Sequence, residues 1–314
     1  MRNLILAAAA GLLATQSAAQ TPPAPKLLVV ISVDQLSEDL FDQYRPQFTG
    51  GFARLASGTV FRNAAGPPAT QTLGQLVKSR WPASRDVIVS GSQAVTTVQG
   101  PDQRWTWTGK KFEADRASAP LPRVVPKVNA AIAAALARPR PPLQPTPFCE
   151  SKALPGEVGG QLGRGAGDAA ALEASPELDG DTLALAAGLV DELQLGRRAA
   201  PDLLTINLAA TGNVARTHGV VGEGMCLQLI ELDRELGDFL SLLESRRIDY
   251  AISLTGTGSQ RVPLLFWRTG MAATTVERAV DRADVSPTLA SMVGVPLQPG
   301  LTGHCLAEVP GARC

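Results

Sequence analysis

An unbroken apolar run that ends in one acidic side chain constrains the fold of this chain most strongly. Residues 27–31 read Leu-Leu-Val-Val-Ile, and the chain then passes through Ser32 and Val33 to Asp34. Such a run is typical of a strand buried on both faces inside a parallel sheet. In α/β proteins of this kind, ligands and metals bind at the carboxyl edge of the strands. Asp34 is therefore a candidate site residue, and the alternative is that it only caps a helix over residues 36–44.

Further apolar and amphipathic runs extend the α/β pattern. They predict strands at 86–91, 202–208, 248–254 and 262–267, and helices near 48–57, 72–80, 127–137, 180–195, 224–246 and 284–293. Residues 138–176 are rich in Pro, Gly and Ala, which predicts irregular structure. Trp105 and Trp107 are expected in a short hairpin with both rings on one face. Packing on the core is the common role of such a pair, and ligand stacking is the alternative.

The first 19 residues have the pattern of a signal peptide. Arg2 precedes an apolar run over residues 4–14, and small residues lead to an expected cleavage after Ala19. Residues 20–26 then form an extended leader, and 27–314 form one domain. This pattern predicts a periplasmic or secreted protein. The 29 basic and 29 acidic side chains balance, so the sequence lacks the excess of positive charge that is typical of nucleic-acid-binding proteins. No later run is apolar enough to span a membrane.

Four cysteines in an exported chain favour two disulfides, although four cysteines allow three pairings. Cys305 and Cys314 are close in sequence, and a bond between them would hold the C-terminal tail. Cys149 would then pair with Cys226. Zinc bound by cysteines is the weaker alternative, because the chain contains no Cys-x-x-Cys spacing.

Several segments of the chain resemble the bacterial periplasmic alkaline phosphatases related to the type I phosphodiesterase/nucleotide pyrophosphatase family. The segments are 29–35, 50–55 with 61–64, 201–219, 232–237, and 261–267 with 284–289. This resemblance implies a three-layer αβα sandwich with a mostly parallel central sheet. It also implies phosphate-ester hydrolysis as the reaction of the family, with two zinc ions and a Thr or Ser nucleophile.

The resemblance places most zinc-ligand positions on residues that do not bind zinc. Asp34 matches the first ligand of the family. Gly212 and Arg216 lie where an Asp-x-x-x-His pair is expected, and Thr257 and Gly258 lie where an Asp-His pair is expected. Glycine has no side chain, and arginine is a permanent cation without a lone pair to donate. A last histidine ligand would fall in a stretch that is missing before residue 262.

The chain has only two histidines, His218 and His304, whereas a two-zinc site of this family uses about three. His218 lies two residues beyond an expected ligand position. A shifted register would make it a ligand, and the alternative is a surface histidine in a loop over residues 216–219. His304 matches a position that is not a ligand in the family.

Thr72 is the only candidate nucleophile with a motif around it. Thr70-Gln71-Thr72 resembles the Thr-x-Thr that precedes a helix in the family. Thr72 and Gln75 also fit a capping box, which would give Thr72 a structural role instead. The phosphate clamp of the family, Lys-Asp-Arg, falls at Ser92 to Ala94, where both cations are replaced by neutral residues.

These substitutions predict a divergent, exported member of the family that is a catalytically impaired pseudo-phosphatase. It would bind a small phosphate ester or a protein partner, without a tightly bound cofactor. The alternative is an active, zinc-dependent phosphomonoesterase or phosphodiesterase with Thr72 as nucleophile and Asp34 as a zinc ligand. A third possibility is a gene product without a role. If Asp34 and Arg216 face each other, the guanidinium would take the place of the zinc charge.

Overall fold

The computed structural model describes residues 23–69, 71–92, 100–115, 121–156, 161–258 and 260–314. The predicted signal peptide over residues 1–19 and the start of the predicted leader lie outside these residues. The described strands are β1 (Leu27–Val33), β2 (Thr59–Ala65), β3 (Asp86–Ser90), β4 (Gln103–Trp107), β5 (Phe112–Ala114), β6 (Asp202–Leu208), β7 (Tyr250–Gly256), β8 (Val262–Arg268), β9 (Thr274–Val276) and β10 (Val280–Asp281).

The helices are interspersed among these strands along the chain. They are α1 (Glu38–Tyr44), α2 (Gly51–Leu55), α3 (Leu73–Arg80), α4 (Val124–Leu136), α5 (Pro147–Glu150), α6 (Ala169–Glu173), α7 (Pro176–Glu192), α8 (Ala210–His218), α9 (Glu223–Ser245) and α10 (Val285–Met292). Short 3₁₀ turns lie at Arg45–Gln47 and Arg282–Asp284. No helix in the described part of the chain is both long and apolar enough to cross a membrane.

One ten-stranded sheet carries the fold, with the order β10-β2-β8-β7-β1-β6-β3-β4-β5 and β9 paired to β2. The central strand β1 runs parallel to both β6 and β7, and Val33 lies opposite Leu208 on one side and Gly256 on the other. Only the pairs of β8 with β2 and β7, and of β4 with β5, are antiparallel among the described strands. The predicted αβα sandwich with a mostly parallel sheet is confirmed.

The sheet is apolar on both faces because helices cover both of them. On the first face, alternate residues of β1 such as Val29 and Ile31 join a large core with α1, α2, α4, α7 and α9. On the second face, Leu28 joins a smaller core with α3 and α10. These two helices cover the second face near Leu28 but not near the carboxyl end of β1. Beyond them Val30 and Ser32 line a cavity.

The contact between α2 and α9 explains two of the segments that carry the family resemblance. The buried carboxylate of Asp233 accepts hydrogen bonds from the backbone N–H groups of Thr49, Gly50 and Phe52, at 2.8, 2.6 and 2.7 Å. A Cβ atom at Gly51 would lie only 2.2 Å from the Cβ atom of Leu236. The Gly-Gly pair therefore lets the start of α2 lie directly on α9, where the carboxylate satisfies its free donors.

Both predicted disulfides are present. Cys149 in α5 is bonded to Cys226 in α9, and Cys305 is bonded to Cys314 near the C-terminus. The predicted hairpin is also confirmed, since β4 and β5 pair antiparallel. Trp105 and Trp107 are both buried in the larger core, as expected for the packing alternative.

The prediction that residues 216–219 form a loop is wrong for the first three of these residues. Arg216 to His218 form the last turn of α8, and only Gly219 lies beyond it. Thr211, Gly212 and Asn213 are weak helix formers, which hides this helix in the sequence. The buried carboxylate of Asp179 accepts a hydrogen bond from the N–H group of Ala210 at 3.0 Å, and this tertiary contact stabilises the helix start.

Candidate functional site

Three parallel strands end together at the candidate site. Because Val33 lies in register with Leu208 and Gly256, the residues that follow β1, β6 and β7 meet at one edge of the sheet. These residues are Asp34, the start of α8, and Thr257. The backbone N–H groups of Asp34 and Thr257 donate to the carbonyl groups of Leu208 and Val33, at 2.8 and 2.9 Å. The strand ends are therefore fixed relative to one another by backbone hydrogen bonds.

The carboxylate of Asp34 has a partner on each oxygen. The hydroxyl of Thr257 donates to Oδ1 at 2.7 Å. The guanidinium of Arg216 forms an ion pair with Oδ2, with 3.6 Å between Nη1 and the oxygen. The same hydroxyl of Thr257 accepts from the N–H group of Gln35 at 3.3 Å. Arg216 and Asp34 thus face each other, which is the condition under which the sequence analysis expected an ion pair.

This ion pair is open to solvent. The side chain of Arg216 is 62% exposed and that of Asp34 is 31% exposed. Exposed ion pairs contribute about 0–1 kcal/mol to folding because water and salt screen them. The pair therefore supplies a positive charge beside Asp34, but it contributes little to stability.

Gly212 allows the approach of Asp34 to the first turn of α8. A Cβ atom at position 212 would lie 2.0 Å from Oδ2 of Asp34. The carboxylate thus occupies the space that a ligand side chain at position 212 would need. Its position near the positive end of α8 also stabilises its negative charge.

The side chains around Asp34 do not fit a zinc ion. They offer one carboxylate, one hydroxyl and one guanidinium, whereas zinc sites use at least three side chains of the Cys, His, Asp or Glu type. Within the described ranges, no group of three or more such residues is arranged to hold a metal ion. The guanidinium also lies at the oxygen that a metal would need. No catalytic step through zinc can be derived from these residues.

The two histidines lie apart from this cluster of contacts. The Cβ atom of His218 lies 3.4 Å from where a Cβ atom at Gly224 would be, so its side chain faces α9. His304 is exposed, and its Nδ1 lies 3.8 Å from a carboxylate oxygen of Asp284. Neither contact involves Asp34, and the proposed zinc role of His218 in a shifted register stays untested.

Thr72 is the N-cap of α3 and forms the expected capping box. Its Oγ1 accepts from the N–H group of Gln75 at 3.2 Å, and the Gln75 side chain accepts from the N–H group of Thr72 at 3.0 Å. Thr72 also lines the cavity on the second face of the sheet, as Thr257 does. Its role as a nucleophile is not tested by these contacts. At the clamp position, Ser92 lines a separate cavity beside Trp107 and Asn213, and Ala94 lies outside the described residues.

The sequence analysis missed a buried carboxylate beneath the site. Asp179 of α7 is fully buried, and it contacts Ala210 of α8 and the side-chain amide of Gln228 at 3.0 Å each. Burial raises the pKa of Asp179 to about 7, and the negative charge of Asp34 acts in the same direction. The available signal was an acidic residue in an otherwise apolar helix stripe. Asp179 positions the helix that carries Gly212 and Arg216.

The sheet architecture and the position of Asp34 at the carboxyl ends of the parallel strands define a hydrolase fold of the alkaline phosphatase type. Comparison with known proteins agrees. No family model matches the chain. The chain is 33% identical to the alkaline phosphatase PhoK of Sphingomonas sp in an alignment 361 residues long. This alignment covers 90% of this chain and 63% of that protein. It is 28% identical to the alkaline phosphatase PhoD of Zymomonas mobilis subsp. mobilis over 313 residues, covering 76% of this chain and 54% of that protein. The chain thus spans less than two thirds of either relative.

Solved structures support the same fold. The crystal structure of the alkaline phosphatase PafA matches 92% of this chain with a TM-score of 0.77 at 14% identity, and covers 100% of that chain. The phosphonate monoester hydrolase of Agrobacterium radiobacter matches 92% of this chain and 78% of that chain, with a TM-score of 0.51 at 15% identity. The sequence and fold comparisons together support an alkaline phosphatase-like family for this chain.

Proposed function

We propose that this protein is a catalytically impaired member of this family, a pseudo-phosphatase that binds a ligand or a partner at the edge around Asp34. One observation carries the proposal. Arg216 and Thr257 occupy both oxygens of Asp34, and by resemblance both residues stand at zinc-ligand positions. The guanidinium supplies there a positive charge that needs no metal.

The exposed guanidinium suits an anionic group of a ligand. Arg216 is 62% exposed, and its five N–H donors exceed what Asp34 and the nearby Asn213 side chain accept. A planar guanidinium binds phosphate and carboxylate oxygens in a bidentate manner. A small phosphate ester, or an acidic side chain of a protein partner, therefore matches this edge.

An active phosphatase is the second candidate, favoured by the names of the two curated relatives and by the place of Thr72. Thr72 and Thr257 line one cavity, so the proposed nucleophile lies near the strand end that follows β7. Asp86 lines the same cavity and is buried. A buried carboxylate repels a phosphate dianion, which weighs against hydrolysis at Thr72.

We further propose that the protein is exported. The two disulfides support this, since such bonds persist in the periplasm and outside the cell and are rare in the cytosol. The sequence pattern of residues 1–19 agrees with export.

Metal content and hydrolysis test the proposal together. After dialysis, elemental analysis is expected to find less than one zinc per chain, because three suitable ligands do not surround Asp34. Hydrolysis of a chromogenic phosphate monoester and diester should stay near background, and Asp34→Ala and Thr72→Ala should leave it there. Thr217→Ala, on the exposed side of α8, serves as a control. Two tightly held zinc ions, or turnover that disappears in Thr72→Ala or Asp34→Ala but not in Thr217→Ala, would establish the active enzyme instead.

A further inference from the structure

A cavity of about 300 Å³ lies on the second face of the sheet, above the region that α3 and α10 cover. Its floor crosses adjacent strands. Val30 of β1 is in register with Thr205 of β6, and Thr205 is in register with Ile88 of β3. Leu73 and Val285 form apolar walls. An apolar cavity of about half this size is enough to hold benzene in a protein.

One side chain gives this cavity a chemical preference. Asp86 lies on the same side of β3 as Ile88, two residues away, and it also lines the cavity. The residue is only 5% exposed. Among the described residues, no group donates a hydrogen bond to its carboxylate or forms an ion pair with it, whereas its backbone N–H group donates to Asp102 at 2.8 Å.

Two cations, Lys78 and Arg104, act electrostatically on Asp86, and each forms an ion pair with another carboxylate. The ammonium of Lys78 lies 2.8 Å from Asp102, and the guanidinium of Arg104 lies 3.3 Å from Asp115. Carboxylates in this region therefore outnumber these cations by one. A buried charge without a hydrogen-bonding partner carries a desolvation cost that a ligand cation can relieve.

Gly74 of α3 lines the cavity next to Asp86. A Cβ atom at Gly74 would lie 2.0 Å from Oδ2 of Asp86, so only glycine allows the carboxylate to lie this close to the start of α3. The other charged group on the cavity wall is Arg282. Its Nε donates to the backbone carbonyl of Gly66, and the charge of Asp281 acts on it. The carboxylate of Asp86 is thus the acceptor that the cavity offers to a cation.

We propose that this cavity binds a small primary amine with an apolar body, whose ammonium donates to Asp86 while its carbon chain lies over Val30, Thr205 and Ile88. The cavity shares Thr257 with the candidate site, whereas neither Asp34 nor Arg216 lines it. The proposal goes beyond the proposed function and holds whether or not the protein hydrolyses phosphate esters.

The proposed complex has a pH dependence that follows from Asp86. Burial raises the pKa of Asp86 to about 6, against the fields of Lys78 and Arg104 and together with that of Asp102. Below about pH 6 the carboxylate is protonated and loses its attraction for an ammonium. Affinity should therefore rise between pH 5 and pH 7.5, and stay high up to the pKa of the amine.

Calorimetric titration of the full chain with hexylamine tests the proposal, beside 1-hexanol and hexanoate as probes with the same carbon chain. At pH 7.5 we expect hexylamine to bind at least about tenfold more tightly than either probe, since a charge-assisted hydrogen bond contributes about 1.5–3 kcal/mol. Equal binding of hexylamine and hexanol would overturn the proposal, and so would no binding of hexylamine.

Two variants locate the binding to this cavity. Asp86→Asn should lower hexylamine affinity at least tenfold and leave hexanol unchanged, whereas Asp238→Asn on the exposed side of α9 should change neither. Thr205→Phe should fill the cavity and abolish binding of both. If Asp86→Asn does not fold, Thr205→Phe and the pH profile of the unaltered protein still decide. Unchanged affinity in Thr205→Phe, or a flat profile from pH 5 to 7.5, would place the amine elsewhere and refute the site.

Discussion

At the scale of single residues, the contacts of Asp34 determine how much the candidate site contributes to folding. Its oxygens interact with the hydroxyl of Thr257, which follows β7, and with the exposed guanidinium of Arg216 in the last turn of α8. Buried ion pairs behave differently from such exposed ones, because breaking a buried pair leaves a charge without solvent or partner. The chain contains an ion pair of each kind, which allows a matched comparison.

We expect Arg216→Ala to lower the free energy of unfolding by less than about 1 kcal/mol, because its partner Asp34 remains hydrated. Arg164→Ala should cost about 3–5 kcal/mol, because its side chain is 3% exposed and lies 2.7 Å from Glu177. Urea unfolding of both variants measures the difference. A loss in Arg216→Ala as large as that in Arg164→Ala would mean that the pair at Asp34 is structurally essential.

At the scale of elements, α7 and α9 bring several carboxylates together beside the site. Burial raises the pKa of Asp179 and of Asp181 to about 7 each, and that of Glu235 to about 8. The field of Asp179 acts on Glu235 in the same direction. One oxygen of Glu235 is buried without a hydrogen-bonding partner in the described structure. These helices therefore pack best when their acids are protonated.

This packing predicts that stability falls as pH rises. The ordinary pKa values of these groups are 3.8 for Asp and 4.5 for Glu, so between about pH 4 and pH 8 the folded chain holds protons that the unfolded chain has lost. Each group contributes at most about 1.4 kcal/mol per pH unit in this window. Urea unfolding should give a higher free energy at pH 5 than at pH 8.

Substitution of these acids checks the source of the pH dependence. The double variant Asp181→Asn with Glu235→Gln should show a flatter dependence between pH 5 and pH 8, whereas Asp238→Asn should retain the original slope. Glu177 and Glu308 have lowered pKa values, so their own effect falls at more acidic pH. An unchanged slope in the double variant would assign the effect to other groups.

The elements show where the sequence was informative. The strands β1 and β6 follow their apolar runs, because helices cover most of both faces of the sheet and favour apolar side chains there. The strand β2 was not predicted, since Arg62 and Asn63 interrupt its apolar pattern. Arg62 instead forms ion pairs with Asp42 and Glu38. Similarly, α8 depends on the buried Asp179, and no local pattern reveals a contact between residues so far apart in sequence.

At the scale of the whole molecule, the two disulfides join very different lengths of chain. The bond between Cys149 and Cys226 has a sequence separation of 77, and that between Cys305 and Cys314 has a separation of 9. In the chain-entropy account, a longer loop restricts the unfolded state more strongly. The first bond also attaches the irregular segment around α5 to the buried side of α9.

We expect loss of the longer link to be the more destabilising. Replacing Cys149 and Cys226 by serine should lower the free energy of unfolding by about 4–5 kcal/mol, and replacing Cys305 and Cys314 by about 2–3 kcal/mol. Urea unfolding of the two double variants measures both values. A larger loss for the C-terminal pair would show that native contacts of the tail outweigh the entropy of the loop.

The site was only partly predictable from the whole chain. The location of the candidate site at the carboxyl ends of the parallel strands was predicted from Asp34 and the family resemblance. The ion pair between Arg216 and Asp34 was a hypothesis based on the residues that stand at the expected ligand positions. Asp86 was not recognised, because a single acid at the start of a strand gives no sign of its burial. Its environment depends on α3 and α10, which come from both sides of it in sequence and leave part of the sheet open.

The close approach of Gly212 to Asp34 also limits which substitutions position 212 can accept. Any side chain added at position 212 begins with a Cβ atom only 2.0 Å from an oxygen of Asp34, so the carboxylate or α8 must first move. A carboxylate introduced at that position alone would clash with Asp34 and lie near Arg216, and the change would add no second new ligand. Engineering a metal centre beside Asp34 would therefore require changes at several positions at once.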